Sequence, residues 1–189
     1  MEQTGEYRIA ADRDAVWAAL NDPEVLSRCI DGCEALEKTA DDRFDARIKA
    51  KVGPVRATFD AELRLEEVVP PASYTLSGNV KGGAAGFARG SAKVNLTEDG
   101  SDTVLAYQVN GNVGGKLAQV GSRLIDGAAR KMAEDFFARF RREFGGDEET
   151  AEGATAAAAA EPRVYESGGR WMIWLVAFTA LLLALLFAF

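Results

Sequence analysis

FDARIKAKVGPVRATFDAELRLEEV, Phe44 to Val68, alternates apolar and charged residues with a single interruption. Phe44, Ala46, Ile48, Ala50 and Val52 are separated by Asp45, Arg47, Lys49 and Lys51. Beyond Gly53-Pro54, the residues Val55, Ala57, Phe59, Ala61, Leu63 and Leu65 are separated by Arg56, Thr58, Asp60, Glu62 and Arg64. Successive side chains on a strand point to opposite faces, so this period of two predicts two strands, each with one buried and one wet face. Gly53-Pro54 is the turn between them, and the pair reads as an antiparallel hairpin.

Further along the chain, Pro70-Pro71 ends the second strand. SYTLSGNV, FARGSAKVNL and TVLAYQVNGNV then supply three more strands, separated by KGGAAG and by the turn EDGSD. The sheet they predict is antiparallel and meandering. After it the period changes: Leu117, Val120, Leu124, Ala128, Met132, Phe136, Phe140 and Phe144 recur every three or four residues, which predicts one long helix over 116–144 lying on a core. Arg123, Arg130, Glu134, Arg141 and Arg142 fall on its opposite face. Its first half is rich in small residues (Ala118, Gly121, Gly127, Ala128, Ala129) and its second half in phenylalanine. In the other direction, EYRIA reads as a short strand. Asp12 is a good N-cap for the helical run DRDAVWAALND, whose Val16, Trp17 and Leu20 share a face, and Pro23 opens a second short helix, PEVLSRCI. An N-terminal strand, two short helices, a curved antiparallel sheet and a long helix laid across it make an α+β helix-grip arrangement. The space between a concave sheet and its helix is a natural apolar ligand site.

Composition excludes several functions. The chain of 189 residues has no histidine, which removes His-dependent triads, His-containing zinc sites and His-based proton shuttles. Its net charge of −7 and the lack of any visible basic face argue against nucleic acid as a partner. Cys29 and Cys33 are not spaced Cys-x-x-Cys and are too few for a structural zinc site without histidine; they read as small buried hydrophobes, and no metal site is expected. No paired buried carboxylates stand out, and the charged strand residues fall on the wet face, so no catalytic residue is expected.

The compact unit is expected to be residues 1–144. Residues 145–170 carry six acids against two bases, with glycine at both ends and an alanine run, and read as a flexible acidic linker with a reach of roughly 25–30 Å. Residues 171–189, WMIWLVAFTALLLALLFAF, contain no charge. As a helix they would be roughly 28 Å long, close to the hydrocarbon thickness of a bilayer. The sequence therefore predicts a transmembrane tail anchor, with Trp171 and Trp174 at the interface and Leu175, Phe178, Leu182, Leu185 and Phe189 in lipid. The start MEQTGEYRIA has neither a basic nor an apolar leader region, so the domain is expected on the cytoplasmic side of the cytoplasmic membrane.

The segments VWAALNDPEVLSRCIDGCE, KVGPVRATFDAEL and GGAAGFARGSAKVNL, and above all NVGGKLAQVGSRLIDGAARKMAEDFF, resemble the CoxG family of carbon monoxide dehydrogenase accessory subunits, in the START-like (SRPBCC) superfamily. The resemblance covers residues 1–144 and departs at Asp31, where the family more often has proline before Gly32-Cys33. It implies a non-enzymatic accessory protein that holds a molybdenum hydroxylase of the carbon monoxide dehydrogenase type at the membrane. It also implies a bound isoprenoid quinone, menaquinone or ubiquinone, carried between bilayer and enzyme, with no covalent cofactor. Candidate cavity walls are Trp17, Leu20, Leu26, Ile30, Phe59, Leu63, Tyr107, Leu117, Leu124, Ala128 and Met132, with Phe87, after a run of glycines, as a candidate gate. The alternatives are a general lipid or apolar-metabolite binding module with another partner, or an enzyme of the aromatase/cyclase kind, which START-like folds also host.

Overall fold

The computed structural model describes residues 2–145. Seven strands form one antiparallel sheet in the order β1-β7-β6-β5-β4-β3-β2: β1 Glu2–Ile9, β2 Cys33–Ala40, β3 Arg43–Val52, β4 Val55–Val69, β5 Ser73–Lys81, β6 Phe87–Asp99 and β7 Asp102–Gly114. Two short helices, α1 Arg13–Leu20 and α2 Pro23–Cys29, connect β1 to β2. A short α3, Lys116–Gln119, and a long α4, Ser122–Arg142, follow β7. This is the expected curved antiparallel sheet with a C-terminal helix. No helix among the described residues is long and apolar enough to cross a membrane. The linker and tail expected over 145–170 and 171–189 lie, beyond Gly145, outside the described residues.

The local signals act as their chemistry requires. The β3–β4 hairpin pairs Phe44 with Leu63, Ala46 with Ala61 and Ile48 with Phe59, so the apolar residues of both strands share one face. Asp12 accepts a hydrogen bond from Ala15 N at 2.8 Å and Asp22 one from Glu24 N at 2.8 Å, satisfying free N–H groups at the starts of α1 and α2. Asp31 forms an ion pair with Arg139 at 2.7 Å. Next to it Gly32 has φ +69, and a Cβ there would stand 2.1 Å from Lys49 O, so only glycine fits.

Two features depart from the sequence pattern. The strand β2 has no clear period-2 signal because it is an edge strand: only Cys33 and Leu36 are half-buried, and register shifts interrupt it after Cys33 and after Lys38. The helix expected over 116–144 is broken. Gly121 takes φ +95, ending α3 and starting α4 in a new direction. The break also divides the apolar stripe. Leu117 is buried, whereas Leu124 is 51% and Met132 44% exposed, so the first half of α4 does not lie on a core.

Two separate apolar clusters result. The larger joins Ile9, Val16, Leu20, Phe44, Leu65, Tyr74, Leu96 and Leu105 to Phe137 and Phe140 of α4. The smaller comprises Phe59, Ala85 and Leu117, with Val52, Val55, Val80 and Val113 against them. Phe140→Ala is expected to cost about 3–5 kcal/mol, while Leu124→Ala stays within about 0.5 kcal/mol. Chemical denaturation of both variants checks this, and similar losses in the two would place the core along the whole of α4.

Candidate functional site: an apolar hollow floored by glycine

Between the two clusters, β5, β6 and β7 each place a glycine where a side chain would stand. Leu63 faces Gly78, Gly78 faces Gly90 and Gly90 faces Gly111, so three glycines stand side by side across β5, β6 and β7. The neighbouring rows on this face are Leu76, Ala92 and Val109 on one side and Val80, Ala88 and Val113 on the other. Together they line a hollow of about 220 Å³. A Cβ on Gly78 would stand 2.7 Å from Leu63 Cδ2, and one on Gly111 would stand 3.3 Å from Arg89 O, so the bare backbone makes the depth. No residue of α4 lines the hollow, and the helix packs mainly against α2, β1 and β3.

The rest of the core fixes these limits. Tyr7 stacks on Phe137 at 4.0 Å between ring centroids, Tyr107 stands 5.6 Å from Phe137, and Trp17 meets Tyr74 edge-on at 5.6 Å. Burial, helped by the neighbouring Tyr107, pushes the Tyr7 phenol up to about 12; burial also raises the Tyr74 phenol, so both stay neutral. Arg28 pairs with Glu143 at 2.6 Å, tying the end of α4 to α2 and holding the Glu143 carboxyl below its ordinary value.

Of the residues expected to wall a cavity, Leu63 lines the hollow. Trp17, Leu20, Leu26 and Tyr107 belong to the larger cluster, Phe59 and Leu117 to the smaller one. Ile30 caps α2, Ala128 is half-buried on α4, and Leu124 and Met132 are exposed. Phe87 is 45% exposed, its ring near Gly114 and 5.5 Å from the Arg89 guanidinium. Sequence reasoning missed Leu76, Gly78, Val80, Ala88, Gly90, Ala92, Val109, Gly111 and Val113. The available signal was a lone glycine inside each of three predicted strands, which marks a close backbone approach. Their alignment needs the register.

A broader depression of about 760 Å³ crosses the outer face of β2 to β5, lined by charged residues including Arg43, Asp45, Glu62 and Arg64. It is open and ionic, with Arg47 on Asp60 at 2.8 Å and Lys81 on Glu62 at 2.7 Å, and offers an apolar molecule nothing. Among the described residues no group of three or more His, Cys, Asp or Glu is placed to hold a metal.

A model of the carbon monoxide dehydrogenase CoxG family matches residues 5–145. The chain belongs to that family. Among solved structures, a conserved protein from Geobacillus kaustophilus is 32% identical, with a TM-score of 0.72 over 77% of this chain and 95% of its own. That relative is therefore little more than the CoxG domain. A START superfamily protein from Mycobacterium smegmatis is 9% identical, with a TM-score of 0.59 over 75% of this chain and 95% of its own. The Zhui aromatase/cyclase from a Streptomyces species is 13% identical, with a TM-score of 0.58 over 76% and 92%. At such identities the last two show a shared START-like fold alone. No curated protein has a significant sequence match.

Cys29 is fully buried and Cys33 half-buried, and burial pushes both thiols up. Near neutral pH a charged disulfide reagent is expected to titrate Cys33 slowly and Cys29 only after denaturant is added. Fast reaction of both in the native CoxG domain would contradict the packing of α2.

Proposed function

We propose that this CoxG-family chain is a non-catalytic accessory protein that carries an isoprenoid quinone, a length of its prenyl chain shielded from water, for a molybdenum hydroxylase of the carbon monoxide dehydrogenase type held at the cytoplasmic membrane. The observation that carries the reading is the hollow: an apolar trough on β4 to β7, lined without acids and floored by glycine. A prenyl chain costs about 0.8 kcal/mol for each CH₂ drawn out of lipid into water. Burial against Leu63, Leu76, Val80, Val109 and Val113 offsets that cost. At about 220 Å³ the trough is smaller than the roughly 300–1,000 Å³ of drug-sized sites, so it encloses a length of chain rather than a whole quinone.

Family membership supports the enzyme partner, and the uncharged residues 171–189 support an anchor. An anchor on a flexible linker would confine carrier, quinone and enzyme to one surface, raising their effective concentration without any new contact. The hollow supplies no titratable group for chemistry except Arg89, whose guanidinium lies over Phe87, which favours carriage over catalysis.

Organic extraction of the purified full-length protein, followed by mass spectrometry, is expected to release an isoprenoid quinone. Phospholipid alone would instead assign a general lipid module. Ala92→Phe, which fills the trough from its floor, is expected to lose most of the bound quinone with little change in thermal melting. Deletion of residues 171–189 is expected to leave a folded domain and to move both it and the hydroxylase out of the salt-washed membrane fraction. An enzyme that stays membrane-bound in such cells would rule out recruitment.

A further inference from the structure

Charge is segregated along the strand direction of the sheet. The meander puts the β3–β4 turn, the β5–β6 loop and the β7–α3 junction at one end, and the β2–β3, β4–β5 and β6–β7 turns at the other. At the first end, residues 49–56, 81–89 and 112–123 carry seven bases and no acid; the acids beside them are Glu2 at the start of β1 and Asp31 and Glu34 at the start of β2, of which Asp31 is paired with Arg139. At the second, residues 41–42, 66–67 and 98–102 carry seven acids and no base. No run of bases in the chain announces this. The basic end exists only because the sheet gathers three distant segments.

Pairing separates the two ends as well. Arg8, Arg13 and Arg64, toward the acidic end, all have carboxylate partners. Of the seven bases at the basic end only Lys81 has one, Glu62. Among the described residues Lys49, Lys51, Arg56, Arg89, Lys116 and Arg123 are exposed and form no ion pair. Exposed apolar residues lie among these cations. Phe87 follows Gly86 on the β5–β6 loop with Arg89 over its ring, and Leu124 lies by the β3–β4 turn, where a Cβ on Gly53 would be 3.5 Å from its Cδ1.

We propose that this end of the domain docks on an anionic bilayer, its free cations on headgroup phosphates and Phe87 and Leu124 at the acyl boundary. Cations on long stems around an aromatic or aliphatic tip suit a headgroup layer, where the charge stays wet and the apolar tip is taken up below. Nucleic acid offers phosphates but no acyl layer for Phe87 and Leu124. An acidic protein face would answer the charge, but this end presents the tips of three connections rather than a continuous face. Val80, Ala88 and Val113, the edge of the hollow, belong to the same end, so docking would bring the trough to the lipid. The surface does not depend on the tail, nor on the identity of any quinone.

The test uses residues 1–145, checked first for cooperative thermal melting, in flotation with vesicles of phosphatidylcholine alone or mixed with phosphatidylglycerol. Flotation is expected only with phosphatidylglycerol, falling steeply as salt is raised. The combined Lys49→Glu, Lys51→Glu and Arg123→Glu variant is expected to lose about tenfold or more in partitioning. Phe87→Ser should lose several-fold, with thermal melting unchanged in both. Lys38→Glu with Lys93→Glu, away from this end, is expected to leave partitioning nearly unchanged. The proposal is overturned if the domain ignores both kinds of vesicle or if the triple variant floats as well as the parent. It is overturned equally if only capture of the hydroxylase responds to the triple variant, since the surface would then belong to a protein.

Discussion

The stacking of Tyr7 and Tyr107 on Phe137, with Phe140 buried beside them, fastens the second half of α4 to the sheet, and the rest of the molecule is arranged around that attachment. Aromatic rings bring large apolar area into one place and tolerate little displacement, so this end of the helix is fixed. The ion pairs of Arg28 with Glu143 and of Asp31 with Arg139 add orientation more than energy, because both are exposed. No comparable group exists in the first half of α4, where Gly127 and Ala128 stand in place of rings. One helix thus has a clamped end and a loose end.

The hollow follows from that asymmetry. Interiors normally close to near-crystalline density, and a void survives only where no side chain can reach it. Here no residue of α4 reaches the hollow, and β5, β6 and β7 leave its floor open because three glycines lie in register. Leu117, cut off from α4 by the turn at Gly121, closes a second small core with Phe59 and Ala85 instead of filling the gap. An apolar trough bounded by two packed clusters is what a carrier of lipid-like molecules requires.

Electrostatics adds a direction to this shape. The acidic end of the sheet neutralises its few bases internally, while the basic end leaves most of its cations to solvent. A domain that is acidic overall can therefore present a cationic end, and net charge alone conceals this. The trough lies nearer that cationic end than the large aromatic core, so ligand site and charged surface share one region of the fold.

The sequence by itself determined the hairpin at Phe44 to Val68, the meander after it, the capped helices α1 and α2, and the long amphipathic segment, since each rests on periodicity and local capping within a few residues. The CoxG motif around Gly114 to Arg123 was equally legible. The edge strand β2 was not, because one exposed edge with two register shifts needs no alternation. Nor could the sequence separate wall from core: Trp17, Leu20, Phe59 and Tyr107 are as apolar as anything lining the trough, and only packing assigns them elsewhere. Gly78, Gly90 and Gly111 are 12 to 33 positions apart in the chain and meet through strand register. The seven bases of the cationic end are likewise joined only by the meander. Local order is set by interactions between near neighbours, whereas a cavity and a surface potential are sums over residues that only the folded chain brings together.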